Sequence, residues 1–246
     1  MKIELLNHTP LWVCAKAIRK CWASEGKSDT ITEVEVENGF GGYQTVPLSS
    51  HSPLGDIVCG EKDKELIERV GNKNKHKSTL EHLVYTFDID GISRACLQEL
   101  ARHRLASYSV KSTRYTLKEL KNEEPFCVWS GNENGTTRDY EIYRVKQYCI
   151  LNDNAFVDDY RALGDSLTYL SEQLKDGRPN DKVKHLLPEA YKTSLVMTIN
   201  ARSLQNFLEL RTSKSALWEI RELANELYNK LPEDHKYLFE EYLSQK

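Results

Sequence analysis

Residues 82–104, "HLVYTFDIDGISRACLQELARHR", change their hydrophobic period midway. From His82 to Asp90 the apolar residues Leu83, Tyr85, Phe87 and Ile89 alternate with polar or smaller ones, the period of a half-buried strand. Gly91 is expected to end that strand. Beyond it Ile92, Ala95, Cys96 and Leu100 recur at helical spacing, which predicts a helix whose C-terminus carries Arg102 to Arg104. A strand handing over to a helix across one glycine places the chain in the α+β class.

The pattern extends in both directions. Upstream, "KIELLNH" reads as an opening strand, and residues 61–71 as a helix with Leu66, Ile67 and Val70 on one face and Gly71 as its C-cap. A loop, "NKNKHKST", follows. Downstream, the serine-rich segment 107–116 reads as a loop, and residues 154–175 as a long helix presenting Phe156, Tyr160, Leu163, Leu167, Leu170 and Leu174 before "DGRP" ends it. "SLVMTI" is a short strand. "SLQNFLELR" and "SALWEIRELANELYNKL" are helices, the second stopped by Pro232, and a last helix covers the tail. Without a repeat or a Gly/Ser linker, residues 1–246 form a single helix-rich domain with a small, mainly antiparallel sheet.

Bulk properties exclude several classes. The 246 residues are 39% hydrophobic and 29% charged with a net charge of -3, so no global positive field advertises nucleic acid or a membrane. Apolar runs are far too short to cross a bilayer, and Glu4 interrupts any signal-like start, which predicts a cytoplasmic protein. The six cysteines are scattered with no C-x-x-C pair and read as reduced thiols, with no metal site. Local charge is more informative. Between Glu99 and Glu119 no carboxylate occurs, while Arg102, Arg104, Lys111, Arg114 and Lys118 all do. The segment "RHRLASYSVKSTRY", residues 102–115, therefore offers guanidinium forks, an imidazole, hydroxyls and an ammonium, a set suited to a phosphate-bearing ligand. Charge clustering alone leaves a solvated basic turn as an equal reading.

That segment resembles the signature of flavin-dependent thymidylate synthases, in which R-H-R is followed by spaced Ser, Ser and Arg; Arg102, His103, Arg104, Ser107, Ser112, Arg114 and Tyr115 stand in register. Four further segments resemble the family in the same order: "HKSTLEH" (76–82), "GRPNDKVKHLLP" (177–188), "NARSLQNFLELR" (200–211) and "ALWEIRELA" (216–224). The first 60 residues resemble it weakly, and residues near 28–60 look like a family-atypical insertion. The resemblance implies a homotetramer that converts dUMP to dTMP with FAD as redox cofactor, NADPH as reductant and 5,10-methylenetetrahydrofolate as carbon donor. It implies FAD contacts for Ser78, Arg102, His103, Arg104, Asn200, Arg202 and Asn206. It gives the nucleotide Glu99, Arg102, Val110, Lys111, Ser112, Thr113, Arg114, Lys184 and Arg211, puts His76 near a folate face, and makes Arg211 catalytic through charge stabilisation at the uracil ring.

Four positions depart from the family pattern. Ser109 and Val110 stand where Asn and Glu are usual, Glu99 where Gln is, and Lys184 where Arg is; lysine keeps the charge and loses the bidentate fork. No G-x-G-x-x-G or G-x-x-x-x-G-K-[ST] loop is present to hold a dinucleotide. Two alternatives stand beside the enzyme: an FAD- and nucleotide-binding relative without methyl transfer, and a nucleic-acid-binding module using the basic loop 102–118. The negative net charge and the lack of a nucleic-acid motif argue against the latter.

Overall fold

A computed structural model describes residues 1–38, 42–48, 57–128 and 135–243. Its centre is an antiparallel sheet of four strands in the order β1 (Lys2–His8), β4 (Val84–Ser93), β6 (Lys192–Asn200), β5 (Ala106–Val110), beside a separate hairpin of β2 (Glu33–Asn38) and β3 (Gly42–Pro47). The expected α+β class holds, and every strand pair among the described residues is antiparallel. The hairpin falls within the expected insertion, of which residues 39–41 and 49–56 lie outside the described residues.

Alternation explains why β4 sits centrally. Leu83, Tyr85, Phe87 and Ile89 are all fully buried, and Leu195, Met197 and Ile199 of β6 point into the same core. On the opposite face Thr86 and Thr198 share a hydroxyl hydrogen bond of 3.1 Å. Helices cover the buried face. They are α1 (Leu11–Cys21), α2 (Glu61–Ile67), α3 (Arg94–Leu100), α8 (Ala201–Arg211) and α9 (Trp218–Asn229), contributing Ile18, Ile67, Leu100, Phe207 and Leu223 to one core. A second cluster joins α6 (Val157–Lys175) to α5 (Gly135–Tyr148) and the turn at Leu117–Asn122, through Leu167, Leu170, Val145 and Leu120. Two one-turn helices, α4 (Thr113–Thr116) and α7 (Asn180–Val183), pack on each other at its edge.

Several expectations are corrected by tertiary pairing. Gly91, at φ 75°, does not end β4; it forms a bulge after which Ile92 and Ser93 still pair with β6. Ser93 then caps α3, its hydroxyl accepting from the Cys96 amide, so this helix begins at Arg94 and leaves Ala95 exposed. Gly71 is no C-cap. It lies inside a π-helical turn, Glu68–Lys73, where an added Cβ would come within 2.8 Å of Leu80. The segment 107–116 is not all loop, because its first half pairs with β6 as the edge strand β5. Helices α1 and α5 were not anticipated, the strand at 194–199 extends to Lys192–Asn200, Phe156 of the long helix is exposed, and the tail folds as two short 3-10 turns.

Candidate active site

The turn after α3 and the helix α8 are brought together because β6 runs straight into α8 while α3 leaves the neighbouring strand β4. Asn200 makes that junction sharp: its side chain accepts from the Ser203 amide, capping α8. Between the two elements lies a cleft of about 650 Å³ whose lining includes Lys77, Arg102, Arg104, Arg202 and Arg211. His103, Ser203, Asn206 and Glu209 complete its polar wall, and Leu105 and Leu210 its apolar part. Cations outnumber carboxylates there, so an anion is the matching guest.

Arg211 is fixed in place from three directions. Its Nη1 donates to Glu99 Oε2 at 2.8 Å, its Nη2 to the Glu99 carbonyl at 3.3 Å and its Nε to His103 Nε2 at 3.0 Å. Since Nε2 accepts, the His103 proton resides on Nδ1. Burial, reinforced by the Arg211 and Arg102 charges, lowers the His103 pKa to about 4, so the ring is neutral at physiological pH. Phe207 meets that ring edge-on at 4.8 Å between centroids. Tyr108 of β5 ties the same turn down, its hydroxyl lying 2.8 Å from the His103 carbonyl and 3.0 Å from that of Leu100. Glu99, expected at the nucleotide, directs its carboxylate to Arg211 and, at 3.6 Å, to Arg102.

Other expected residues gather elsewhere. Strand β5 starts opposite Ile199, near the C-terminal end of β6, and ends opposite Leu195 in its middle. At a rise near 3.3 Å per residue, the two ends of β5 are separated by roughly 13 Å. Val110, Lys111, Ser112, Thr113 and Arg114 lie at the far end from the cleft. Lys184 joins them, since α4 packs on α7 and Asn180 donates to the Arg114 carbonyl at 3.0 Å. Lys111 is paired with Glu119 at 2.9 Å, and Arg114 rests over the Tyr115 ring. Ser78 and His76 belong to an exposed 3-10 turn beside the cleft, and Asn200 spends its side-chain oxygen on the helix cap. Lys77, Ser203 and Glu209 line the cleft without having been singled out in the sequence; the first follows an expected residue and the second sits on the polar face of α8. Among the described residues no cluster of His, Cys, Asp and Glu could hold a metal, no cysteine is disulfide-bonded, and no helix is long and apolar enough to cross a membrane.

Residues 4–235 match the family model described as "Thymidylate synthase complementing protein". The chain is 53% identical to a flavin-dependent thymidylate synthase of Wolinella succinogenes over 97% of each chain, and 50% identical to one of Campylobacter jejuni over 99% of this chain and 98% of that one. It superposes on thymidylate synthase X of Helicobacter pylori, solved with FAD and dUMP, with a TM-score of 0.78, 41% identity and full coverage of both chains.

Proposed function

Because the chain belongs to the flavin-dependent thymidylate synthase family, we propose that it methylates dUMP to dTMP and holds FAD in the cleft between the α3 turn and α8. The observation that carries this reading is the cleft's excess of cations, in a lining that also includes Ser203, whose buried hydroxyl has no partner among the described residues. A diphosphate offers acceptors to Arg102, Arg104 and Arg202, while Asn206 and the neutral His103 supply donors suited to a ring edge. FAD, when bound, supplies the redox chemistry that links NADPH oxidation to completion of a methyl group drawn from 5,10-methylenetetrahydrofolate.

Arg211 is the catalytic residue of this proposal. Held by Glu99 and His103, it presents a guanidinium at a fixed angle, which stabilises charge developing on the uracil ring without reorganising during the reaction. Ser112, Arg114 and Lys184 bind the nucleotide phosphate, with Val110, Lys111 and Thr113 contributing backbone and side-chain contacts, and His76 lies at the folate side. The separation of this set from Arg211 along β5 supports assembly as a homotetramer, in which one subunit's phosphate loop serves another subunit's cleft. A cytoplasmic location accords with the reduced cysteines.

The test is direct. Purified protein is expected to show flavin absorbance, sediment as a tetramer, and form dTMP from dUMP, methylenetetrahydrofolate and NADPH. A colourless protein that cannot be reconstituted with FAD would falsify the assignment; flavin binding without tritium release from 5-labelled dUMP would make it a binding relative without methyl transfer.

A further inference from the structure

We infer that Lys77 is a ligand-binding residue of the cleft, whose ammonium meets the diphosphate of a bound dinucleotide, and that Tyr242 in the C-terminal tail holds it ready. This deepens the assignment of the cleft to FAD and rests on it. Arg102 and Arg211 are each bonded to Glu99, and Arg202 to Glu81 at 2.7 Å. Lys77 and Arg104 also line the cleft, and among the described residues neither has a carboxylate partner. A cation already paired must exchange one anion for another, whereas an unpaired one gives its full interaction to an incoming phosphate.

Lys77 is nevertheless not loose. Its Nζ lies 4.5 Å from the centroid of the Tyr242 ring, and Tyr242 is itself seated in the main core with 8% exposure. An aromatic face attracts an ammonium without neutralising it, so the side chain is oriented at little cost to its charge. The tail thereby reaches the cleft. Residues Glu240–Tyr242 contact α8, the helix that carries Arg202, Asn206 and Arg211. Glu209 is the carboxylate of the cleft lining and sits on that same helix.

The experiment titrates apoprotein with FAD, FMN and riboflavin, which share the ring and differ in phosphate, following flavin fluorescence. Lys77→Gln is expected to weaken FAD about tenfold, the lower scale for a charged hydrogen bond, with a smaller loss for FMN and none for riboflavin. The FAD loss should shrink at high salt, as for any partly exposed charge. Lys77→Arg should restore most of the affinity. Tyr242→Leu, which keeps the packing apolar, should reproduce part of the FAD loss with Lys77 intact. Unchanged FAD affinity in Lys77→Gln, equal weakening of all three flavins, or a loss confined to dUMP would each overturn the assignment of Lys77. If the wild-type protein binds none of the flavins, the cofactor reading itself falls, and Lys77 with it.

Discussion

The two ends of β5 carry the same kinds of residue in opposite states. At its start, Arg211 is mostly buried, triply hydrogen-bonded and backed by Phe207 through His103. At its end Ser112 and Arg114 are exposed, and the Lys111 charge is answered by Glu119 across the turn. One set is organised before any ligand arrives; the other is a displayed set of donors that a ligand or a second subunit must complete. Fixed geometry suits transition-state stabilisation, and displayed charge suits capture of a phosphate, so under the proposed function the difference divides chemistry from binding.

The largest effect should come from disturbing the organised end. Arg211→Lys keeps a charge but loses the fork that meets Glu99 and His103 together, so dTMP formation should fall at least about a hundredfold. Bound FAD and anaerobic bleaching by NADPH should persist. Near-normal dTMP formation would mean that the rigid cluster is structural, and the contrast between the two ends would disappear.

At the displayed end, Arg114→Ala should weaken dUMP binding by about 1.5 to 3 kcal/mol while leaving FAD content unchanged. Equal loss of both ligands would show the two ends to be one site. Equilibrium titration of each ligand on the same preparation distinguishes these outcomes.

A smaller effect separates the site from the core by pH. His235 is 1% exposed, lies 2.8 Å from the Tyr85 hydroxyl, and, like His103, has its pKa lowered to about 4 by burial. Each histidine binds a proton near 6.5 when unfolded but only near 4 when folded, so its contribution to stability is present above about 6.5 and lost as pH falls towards 4. His235→Gln should therefore flatten the acid-side decline of the melting temperature more than His103→Gln does, because His103 borders an open cleft and is screened by solvent. Melting curves at several pH values, with dTMP formation assayed at neutral pH, give the comparison; a larger flattening in His103→Gln would reverse the ranking of the two environments.

Much of the site was legible because its residues stand close together in the chain. Arg102, His103 and Arg104 form one run, and Arg202 and Asn206 stand one helical step apart on α8, so local spacing alone predicts neighbours. Glu99 was legible only as a departure from a pattern; that its carboxylate clamps Arg211, 112 positions away, required the α3–α8 junction. Lys77 was marked only by its neighbours His76 and Ser78 in the segment 76–82. A lysine in a loop reads as solvated, and only the ring of Tyr242, distant in sequence, gives it a direction.

The sequence by itself determined the core strands, the helices α6, α8 and α9 and the basic character of residues 102–118, since alternation, 3.6-residue spacing and charge are local properties that survive in any context. Tertiary structure decided the rest. Pairing with β6 turned an apparent loop into β5 and carried β4 past Gly91, because backbone amides near a sheet edge are satisfied by whichever strand reaches them. That same pairing placed Arg114 and Arg211 at opposite ends of one strand, a separation no spacing of residues along the chain could state.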